Sequence, residues 1–316
     1  MSLRPVRELW RVVGTCGVRL APVIRYQEPL FRPPSEADSL ILQATLGCSY
    51  NECAFCGMYR TKRFRVRPID ELRAEIRWAA ENMGVGAVRK VFLADGDALV
   101  AKPAFLLEVL AELRQHFPSL RRVSCYASPQ ALAIRRVEDM VALREAGLVQ
   151  YYLGIESGHD TVLERLTKGV DADEMVRVAN KASEAGVKLS TMILLGAGGR
   201  ELSEAHARAS ADVVNRIQPR FVSTLVVTPV EDTPLWDADQ RGEFEHLEPV
   251  ELAAELRTFV ANLDLSGSIF RSNHASNTLT LAGTFPKDKP ALVAALDGVL
   301  RDPAHAPFVP NWMRAL

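Results

Sequence analysis

Three cysteines lie close together in the segment LGCSYNECAFCGMY, where Cys48, Cys53 and Cys56 have the spacing C-x4-C-x2-C. Thiolate sulfur is a ligand for zinc and for iron–sulfur clusters. A structural zinc site usually takes four protein ligands in two separated pairs, and an ordinary electron-transfer cluster takes four cysteines. This loop offers only three, so the spacing favours a different kind of metal site.

The rest of the chain offers few candidates for a fourth ligand. The only other cysteines are Cys16 and Cys125, and no histidine lies within forty residues of the loop. Three local thiolates would leave one iron of a 4Fe–4S cluster without a protein ligand, and an open iron allows a substrate or cofactor to bind the metal directly. The alternative is an electron carrier or structural metal protein in which Cys16 or Cys125 closes the site.

The elements around the loop alternate between short apolar strands and amphipathic helices. This alternation predicts parallel strands with helical crossovers, and we expect an α/β fold, a partial (β/α)6 TIM-like barrel. In such barrels chemistry gathers at the carboxyl ends of the strands, and the cysteine loop follows the first strand. The predicted strands are 39–45, 90–97, 121–128, 150–157, 187–196 and 220–229, and the predicted helices are 69–83, 103–116, segments reaching 146 and 185, and 201–217.

We expect three parts in the chain: a short N-terminal extension (1–37), the barrel (38–236) and a helical C-terminal cap (237–316). The cap would hold helices at about 248–263 and 289–301 with a polar loop, SGSIFRSNHASN, between them.

Composition excludes some classes of function. The 316 residues are 48% hydrophobic and carry a net charge of −1, which is unlike the basic excess of most nucleic-acid-binding proteins. No apolar run reaches the roughly 18–20 residues that span a bilayer. The N-terminal apolar stretch is interrupted by Glu8, Arg11 and Arg19, which makes a poor signal peptide. An odd number of cysteines, three of them clustered, suits a reducing compartment, so we expect a cytoplasmic protein.

The cysteine loop resembles the cluster loop of the radical S-adenosylmethionine (SAM) enzymes. The commonest spacing in that superfamily is C-x3-C-x2-C, and this chain has one more residue in the first gap, as some members do. Phe55 before the third cysteine also fits the pattern. The resemblance implies that the amino and carboxyl groups of SAM chelate the open iron of a 4Fe–4S cluster. One electron then cleaves SAM to methionine and a 5′-deoxyadenosyl radical.

Two further strand ends resemble SAM-binding segments of that superfamily. Asp95, Gly96 and Asp97 stand where members have the Gly-Gly-Glu segment that holds the SAM ammonium, with both outer residues changed. The stretch GIESGHDTVLERLTKG resembles the branch that contains tRNA methylthiotransferases and oxygen-independent coproporphyrinogen oxidases. By that resemblance Glu156 lies at the SAM ribose or ammonium, and Lys168 pairs with the SAM carboxylate once a helix start folds it back.

The remaining strand ends add to the resemblance, which covers roughly residues 39–236. On the third strand it points Tyr126 and Ser128 toward SAM, whereas strand alternation turns Cys125 toward the helices. After the fifth strand, glycines that include Gly196 would form a flat turn for the adenine. The SAM contacts that we expect from this strand are Met192, Leu194 and Gly196.

The sequence leaves partner and substrate open. RTKRFRVRP (60–68) carries five basic residues and could dock an acidic flavodoxin- or ferredoxin-type electron donor, attract an anionic substrate, or form a solvated strand. The polar residues around His274 could contact a substrate or form a hydrogen-bonded loop. Without a second cysteine cluster or a basic RNA-binding segment, we expect a small-molecule substrate. A cluster- or haem-trafficking protein on the same fold is the remaining alternative.

Overall fold

A computed structural model describes residues 24–84 and 86–314 of the chain. Cys16 and most of the predicted N-terminal extension lie outside the described residues. The strands are β1 (Leu40–Gln43), β2 (Thr45–Leu46), β3 (Arg65–Val66), β4 (Lys90–Ala94), β5 (Arg122–Tyr126), β6 (Leu148–Glu156), β7 (Lys188–Leu195), β8 (Phe221–Val226), β9 (Ile269–Ser272) and β10 (Leu281–Thr284). The helices are α1 (Ile69–Met83), α2 (Pro103–His116), α3 (Pro129–Ile134), α4 (Val137–Glu145), α5 (Asp160–Arg165), α6 (Ala172–Glu184), α7 (Gly199–Ile217), α8 (Pro234–Gln240), α9 (Pro249–Asn262) and α10 (Lys289–Arg301).

Eight strands form one sheet in the order β1-β4-β5-β6-β7-β8-β9-β10. The six predicted strands are β1 and β4 to β8, and each pairs in parallel with the next. β9 continues the sheet in parallel, and β10 pairs antiparallel with β9. Because β1 and β10 remain edges, the sheet of the described residues is open, and the expected partial barrel is confirmed.

Side chains alternate between the two faces of the sheet. Leu42, Leu93 and Val123 belong to the main core between the sheet and the helices. Phe92 and Tyr152 point the other way, into a smaller apolar cluster on the concave face. This alternation decides which residues of each strand can meet a ligand held inside the barrel.

Several short elements, with β10 among them, differ from the sequence-based expectation. The segment predicted as a polar loop contains β9, because fully buried Phe270 packs in the main core and pairs with Val222 of β8. The short pair β2–β3 and helix α8 were not predicted, and two-residue strands carry no readable periodicity.

The 3-10 turn Pro34–Glu36 packs against the amino-terminal halves of β5 and β6. The buried Glu36 carboxylate accepts hydrogen bonds from Arg122, Ser124 and Tyr152 at 2.7, 3.0 and 2.5 Å. The cysteine loop lies at the opposite, carboxyl-terminal end of the barrel. Among the helices of the described residues, none has the length and apolar character needed to cross a membrane.

Candidate functional site

The cysteine loop lies between β2 and β3 and is fixed through its backbone. Ala54 donates its N–H to the carbonyl of Leu166 at 2.8 Å, and its own carbonyl accepts from the N–H of Leu235 at 2.9 Å. The Arg60 guanidinium donates to the carbonyls of Cys53 and Cys56 at 2.8 and 2.9 Å. These hydrogen bonds therefore hold the loop to the segments that follow β6 and β8. They use backbone groups of the loop, so the sulfurs stay free to act as ligands.

The three loop thiols differ from the fourth described cysteine. Cys48, Cys53 and Cys56 are partly accessible, whereas Cys125 is fully buried in the main core, as strand alternation predicted. Burial raises the pKa of all three loop thiols, and that of Cys53 to about 11 despite the nearby Lys168. The thiols therefore stay protonated until a metal displaces the protons.

The described residues contain no group of three His, Cys, Asp or Glu side chains that converge on a single metal ion. In a cubane each thiolate binds a different iron, so the three sulfurs need not meet at one point.

Asp95, predicted to contact SAM, is fully buried and bound within the protein. Its Oδ2 accepts hydrogen bonds from Lys62 Nζ at 2.8 Å and from the N–H of Gly47 at 3.0 Å. Its Oδ1 accepts from Gln43 at 3.0 Å. The Asp95 carboxylate therefore holds the start of the cysteine loop. A contact between Asp95 and SAM stays a prediction. Because the carboxylate is hydrogen-bonded within the protein, the backbone of Asp95 is the group that remains free to make that contact.

Asp97 and Ser128 form a second hydrogen-bonded connection, which joins the cysteine loop to the end of β5. Asp97 Oδ2 accepts hydrogen bonds from Ser49 Oγ at 2.5 Å and Ser128 Oγ at 2.6 Å. Burial raises the pKa of Asp97, while these hydrogen bonds lower it. Ser128 Oγ also accepts the N–H of Ala131 and so caps α3. Both side chains are used in positioning the loop, and their predicted SAM contacts remain untested.

Gly96 leaves room for an aromatic ring. A β-carbon at this position would come within 2.7 Å of the Tyr59 ring and 3.0 Å of Cys48 Cβ. The Tyr59 hydroxyl is buried and has no hydrogen-bond partner among the described residues. An orphaned buried hydroxyl beside this loop is consistent with an acceptor that the polypeptide itself does not supply.

Glu156 and Lys168 form a buried ion pair beside the cysteine loop. Lys168 Nζ donates to Glu156 Oε1 at 3.0 Å and lies 6.0 Å from the centre of the Phe55 ring. Burial lowers the pKa of Lys168, but Glu156 and Cys53 offset this, and the net pKa is raised. The turn through α5 folds Lys168 back, as expected, and places its ammonium next to the loop thiols. The ion pair with Glu156 was not predicted, and the contact of Lys168 with the SAM carboxylate stays a prediction.

Gly154 makes this ion pair possible. A β-carbon there would lie 1.8 Å from Glu156 Oε1 and 3.2 Å from Lys168 Nζ. Glu156 itself has φ +66°, a conformation that costs a non-glycine residue on the order of 1 kcal/mol. A glycine inside a strand often marks such a close approach, so the sequence did contain a signal for this position.

The other predicted SAM contacts lie on the concave side. Tyr126 packs edge-on against Phe92 with ring centroids 5.1 Å apart, in the cluster that Met192 also joins. Leu194 belongs to a neighbouring cluster that includes Phe55 of the cysteine loop. Gly196, with φ +80°, turns the chain after β7. Met192 and Leu194 of β7 therefore lie on the side of the sheet that faces the cysteine loop, whereas Gly196 follows β7 and packs against Leu252 of α9.

Most of the basic segment 60–68 is used inside the protein. Arg60 and Lys62 hold the cysteine loop, as described above. Arg67 is buried and pairs with Glu75 at 2.7 Å. Of the five basic residues in this segment, only Arg63 and Arg65 are exposed. The segment is therefore chiefly structural, and two cations are left for a partner.

The loop around His274 completes the end of β8. Asn277 Oδ1 and Ser276 Oγ accept the N–H of Val226 at 3.0 and 3.1 Å, and Asn277 Nδ2 donates to the carbonyl of Thr224 at 2.7 Å. His274 is partly buried, which lowers its pKa, and its Nδ1 bonds Ser276 Oγ at 2.9 Å. This matches the hydrogen-bonded loop that the sequence allowed.

The family of the chain follows from comparison with known proteins. The Radical SAM superfamily model matches residues 42–207, more than half of the chain and the region that holds the cysteine loop, β4 to β7 and their carboxyl ends. The chain belongs to the radical SAM superfamily. Members of this superfamily are enzymes that use a 4Fe–4S cluster and SAM.

Individual radical SAM relatives are distant. The chain is 23% identical over 196 residues to GTP 3′,8-cyclase of Alkaliphilus metalliredigens, which covers 60% of this chain and 56% of the cyclase. It is 26% identical over 219 residues to tRNA-2-methylthio-N(6)-dimethylallyladenosine synthase of Aromatoleum aromaticum, covering 65% of this chain and 47% of the synthase. The chain thus spans about half the length of these relatives.

A solved radical SAM structure shares the fold. Coproporphyrinogen III oxidase from Escherichia coli superposes with a TM-score of 0.54 at 18% identity, over 76% of this chain and 54% of the oxidase. At this identity the likeness shows the partial barrel alone.

The residues of the site fit the superfamily's cofactors. Three thiols of one loop supply three ligands, Cys125 lies on the opposite face of the sheet, and the Glu156–Lys168 pair adjoins Cys53. Among the described cysteines, Cys125 lies too far inside the main core to close the site, and the assignment of the three loop thiols as cluster ligands stays a prediction. The sequence did not indicate Lys62, Tyr59 or Ser49 as parts of this site, because their roles depend on partners far along the chain.

Proposed function

We propose that this radical SAM enzyme cleaves SAM reductively at a single 4Fe–4S cluster and abstracts a hydrogen atom from a small-molecule substrate. When bound, the cluster supplies the electron and SAM supplies the 5′-deoxyadenosyl radical. The observation that carries the proposal is the placement of Cys48, Cys53 and Cys56 beside the Glu156–Lys168 pair. In this proposal Cys48, Cys53 and Cys56 hold three irons and leave the fourth to SAM.

Lys168 and Glu156 give the site its polarity. The Lys168 ammonium is held at 3.0 Å by Glu156 and is nearly shielded from water, so its attraction for a carboxylate is stronger than that of a surface lysine. We assign Lys168 to the SAM carboxylate. Glu156 holds the lysine and offers its second carboxylate oxygen to the ammonium or the ribose hydroxyls.

The concave face beyond the predicted SAM contacts is the place for the substrate. Gly154, Met192, Ser223 and Arg271 form one row across β6, β7, β8 and β9. Neighbouring strands are about 4.8 Å apart, so Arg271 lies roughly 10 Å from Met192 along this row. Arg271 is exposed and pairs with no carboxylate in the described part of the chain. We assign the substrate to this row and an acidic group of the substrate to Arg271.

The setting of the reaction is also part of the proposal. Three metal-binding thiols require a reducing compartment, so we place the enzyme in the cytoplasm. Arg63 and Arg65 are the exposed cations near the loop, and they suit an acidic flavodoxin- or ferredoxin-type donor.

The direct test is formation of 5′-deoxyadenosine. The protein is reconstituted anaerobically with iron and sulfide, reduced with dithionite and given SAM, and the products are separated by chromatography and mass spectrometry. The proposal expects equal amounts of 5′-deoxyadenosine and methionine from the parent protein, and none from Cys53→Ala. A cluster-loaded protein that forms neither product would support the trafficking alternative instead.

A further inference from the structure

A buried hydrogen-bond network connects the carboxyl ends of β6 and β7. Ser157, directly after Glu156, lies with its Oγ 2.8 Å from His206 Nδ1 on α7. His206 Nε2 lies 3.0 Å from the carbonyl of Leu194 on β7. A carbonyl can only accept, so Nε2 carries the proton and Nδ1 accepts from the Ser157 hydroxyl. His206 thereby joins the two strand ends for which SAM contacts are predicted.

Glu255 of α9 lies beside this network and makes its own hydrogen bonds to the end of β7 and to α7. Its Oε1 accepts the N–H of Gly196 at 2.6 Å, and its Oε2 accepts from Ser203 Oγ at 2.6 Å. Oε1 also lies 3.7 Å from His206 Nε2, and both side chains are fully buried. Residue 255 lies beyond the region that matches the superfamily.

The turn at Gly196 depends on this carboxylate. Gly196 has φ +80°, and a β-carbon there would come within 3.3 Å of Leu252, so the chain packs closely against α9. Its buried N–H has Glu255 as the only hydrogen-bond acceptor found within the described residues. A buried amide that loses its acceptor is destabilised unless the turn opens to find another.

We propose that Glu255 is a positioning residue of the SAM site, because it fixes the Gly196 turn at the end of β7 and holds that turn to Ser203 of α7. This inference rests on the function proposed above. Burial raises the pKa of Glu255 to about 7 and lowers that of His206 to about 4, so His206 is neutral at neutral pH. The 3.7 Å contact between Glu255 and His206 is therefore not an ion pair, and Glu255 acts through its hydrogen bonds to Gly196 and Ser203.

The test compares two substitutions at Glu255 with one control. Glu255→Leu removes the acceptor. Glu255→Gln keeps it, because the amide oxygen accepts the Gly196 N–H and the amide NH2 donates to Ser203. The control, Glu251→Gln, makes the same change at a more accessible glutamate one turn earlier on α9 that pairs with Arg200. Three quantities are measured: iron content after reconstitution, the SAM dissociation constant by equilibrium dialysis, and hydrogen exchange across 194–199 in the cluster-free protein.

We expect Glu255→Leu to retain its iron, to exchange faster across 194–199 and to bind SAM roughly tenfold more weakly, which corresponds to about 1.4 kcal/mol. Glu255→Gln and Glu251→Gln should stay within about twofold of the parent. If Glu255→Leu does not fold, Ser203→Ala, which removes one of the two hydrogen bonds, should weaken SAM binding about threefold.

Unchanged SAM affinity in Glu255→Leu, or in Ser203→Ala if that variant replaces it, would overturn the inference. Equal losses in Glu255→Leu and Glu255→Gln would also overturn it, because the acceptor would then be irrelevant. A parent protein that holds iron but does not bind SAM refutes the proposed function and this inference with it. A parent that binds SAM while hydrogen exchange is unaffected by Glu255→Leu refutes the inference alone.

Discussion

Replacing Gly154 by alanine should break the buried Glu156–Lys168 pair without touching either charged residue. The new β-carbon would lie 1.8 Å from Glu156 Oε1, so the carboxylate must leave its 3.0 Å hydrogen bond with Lys168. Breaking a buried ion pair costs about 3–5 kcal/mol. Alanine recovers roughly 0.4–1 kcal/mol by restricting the unfolded chain. The free energy of unfolding should therefore fall by about 2–5 kcal/mol.

The assay is denaturant unfolding of the cluster-free protein, followed by SAM binding after reconstitution. Gly298→Ala is the matched control, because nothing lies within 4 Å of a β-carbon at that position in α10. Helix propensity predicts that this control is as stable as the parent or up to about 1 kcal/mol more stable. SAM affinity should fall in Gly154→Ala and stay unchanged in Gly298→Ala. Equal stability and equal SAM affinity in Gly154→Ala and the parent would refute the role assigned to the ion pair.

Three further predictions follow from the same contacts. Cys125→Ala should keep the iron content of the parent while Cys53→Ala loses it, as iron and sulfide analysis can establish, and iron loss in Cys125→Ala would revive the four-cysteine site. Lys62→Met leaves the buried Asp95 carboxylate unpaired, so the free energy of unfolding should fall by about 3–5 kcal/mol and cluster uptake should also fall. If both values are unchanged, the Lys62–Asp95 ion pair is dispensable. The pKa of Glu255 is raised from 4.5 to about 7, so the stability from its protonated form is complete below pH 4.5 and is lost as pH rises through 7. As the pH rises from 4.5 to 7, the free energy of unfolding of Glu255→Gln in urea should therefore rise by about 2–4 kcal/mol relative to that of the parent. A difference between the two proteins that stays constant over this pH range would contradict the raised pKa.

Local sequence patterns predicted the repeating elements well, because each depends on residues close in the chain. The predicted helices at 69–83 and 289–301 coincide with α1 and α10, and the six parallel strands pair in the expected order. β9 was missed because its two fully buried residues, Phe270 and Ser272, include only one apolar side chain, and Ser268 and Asn273 on either side of the strand are polar. A four-residue strand with that composition has the same local pattern as a polar loop.

The site was predictable only where its residues fall into motifs. The three cysteines and the pair of Glu156 with Lys168 stand in recognisable stretches, and the structure brings them together. Asp97 was expected to face a ligand, yet its carboxylate is bonded to Ser49 and Ser128. Hydrogen-bond partners of this kind are set by the tertiary fold. Gly196 and Glu255 are 59 residues apart, so no local sequence pattern could predict the hydrogen bond between them.

The open iron is the central claim about this enzyme, and electron paramagnetic resonance tests it most directly. The reconstituted protein is reduced with dithionite, and its spectrum is recorded with and without SAM under otherwise identical conditions. If Cys48, Cys53 and Cys56 hold three irons and SAM binds the fourth, the g values of the reduced 4Fe–4S signal should shift when SAM is added. A reduced 4Fe–4S signal that is identical with and without SAM would contradict the claim.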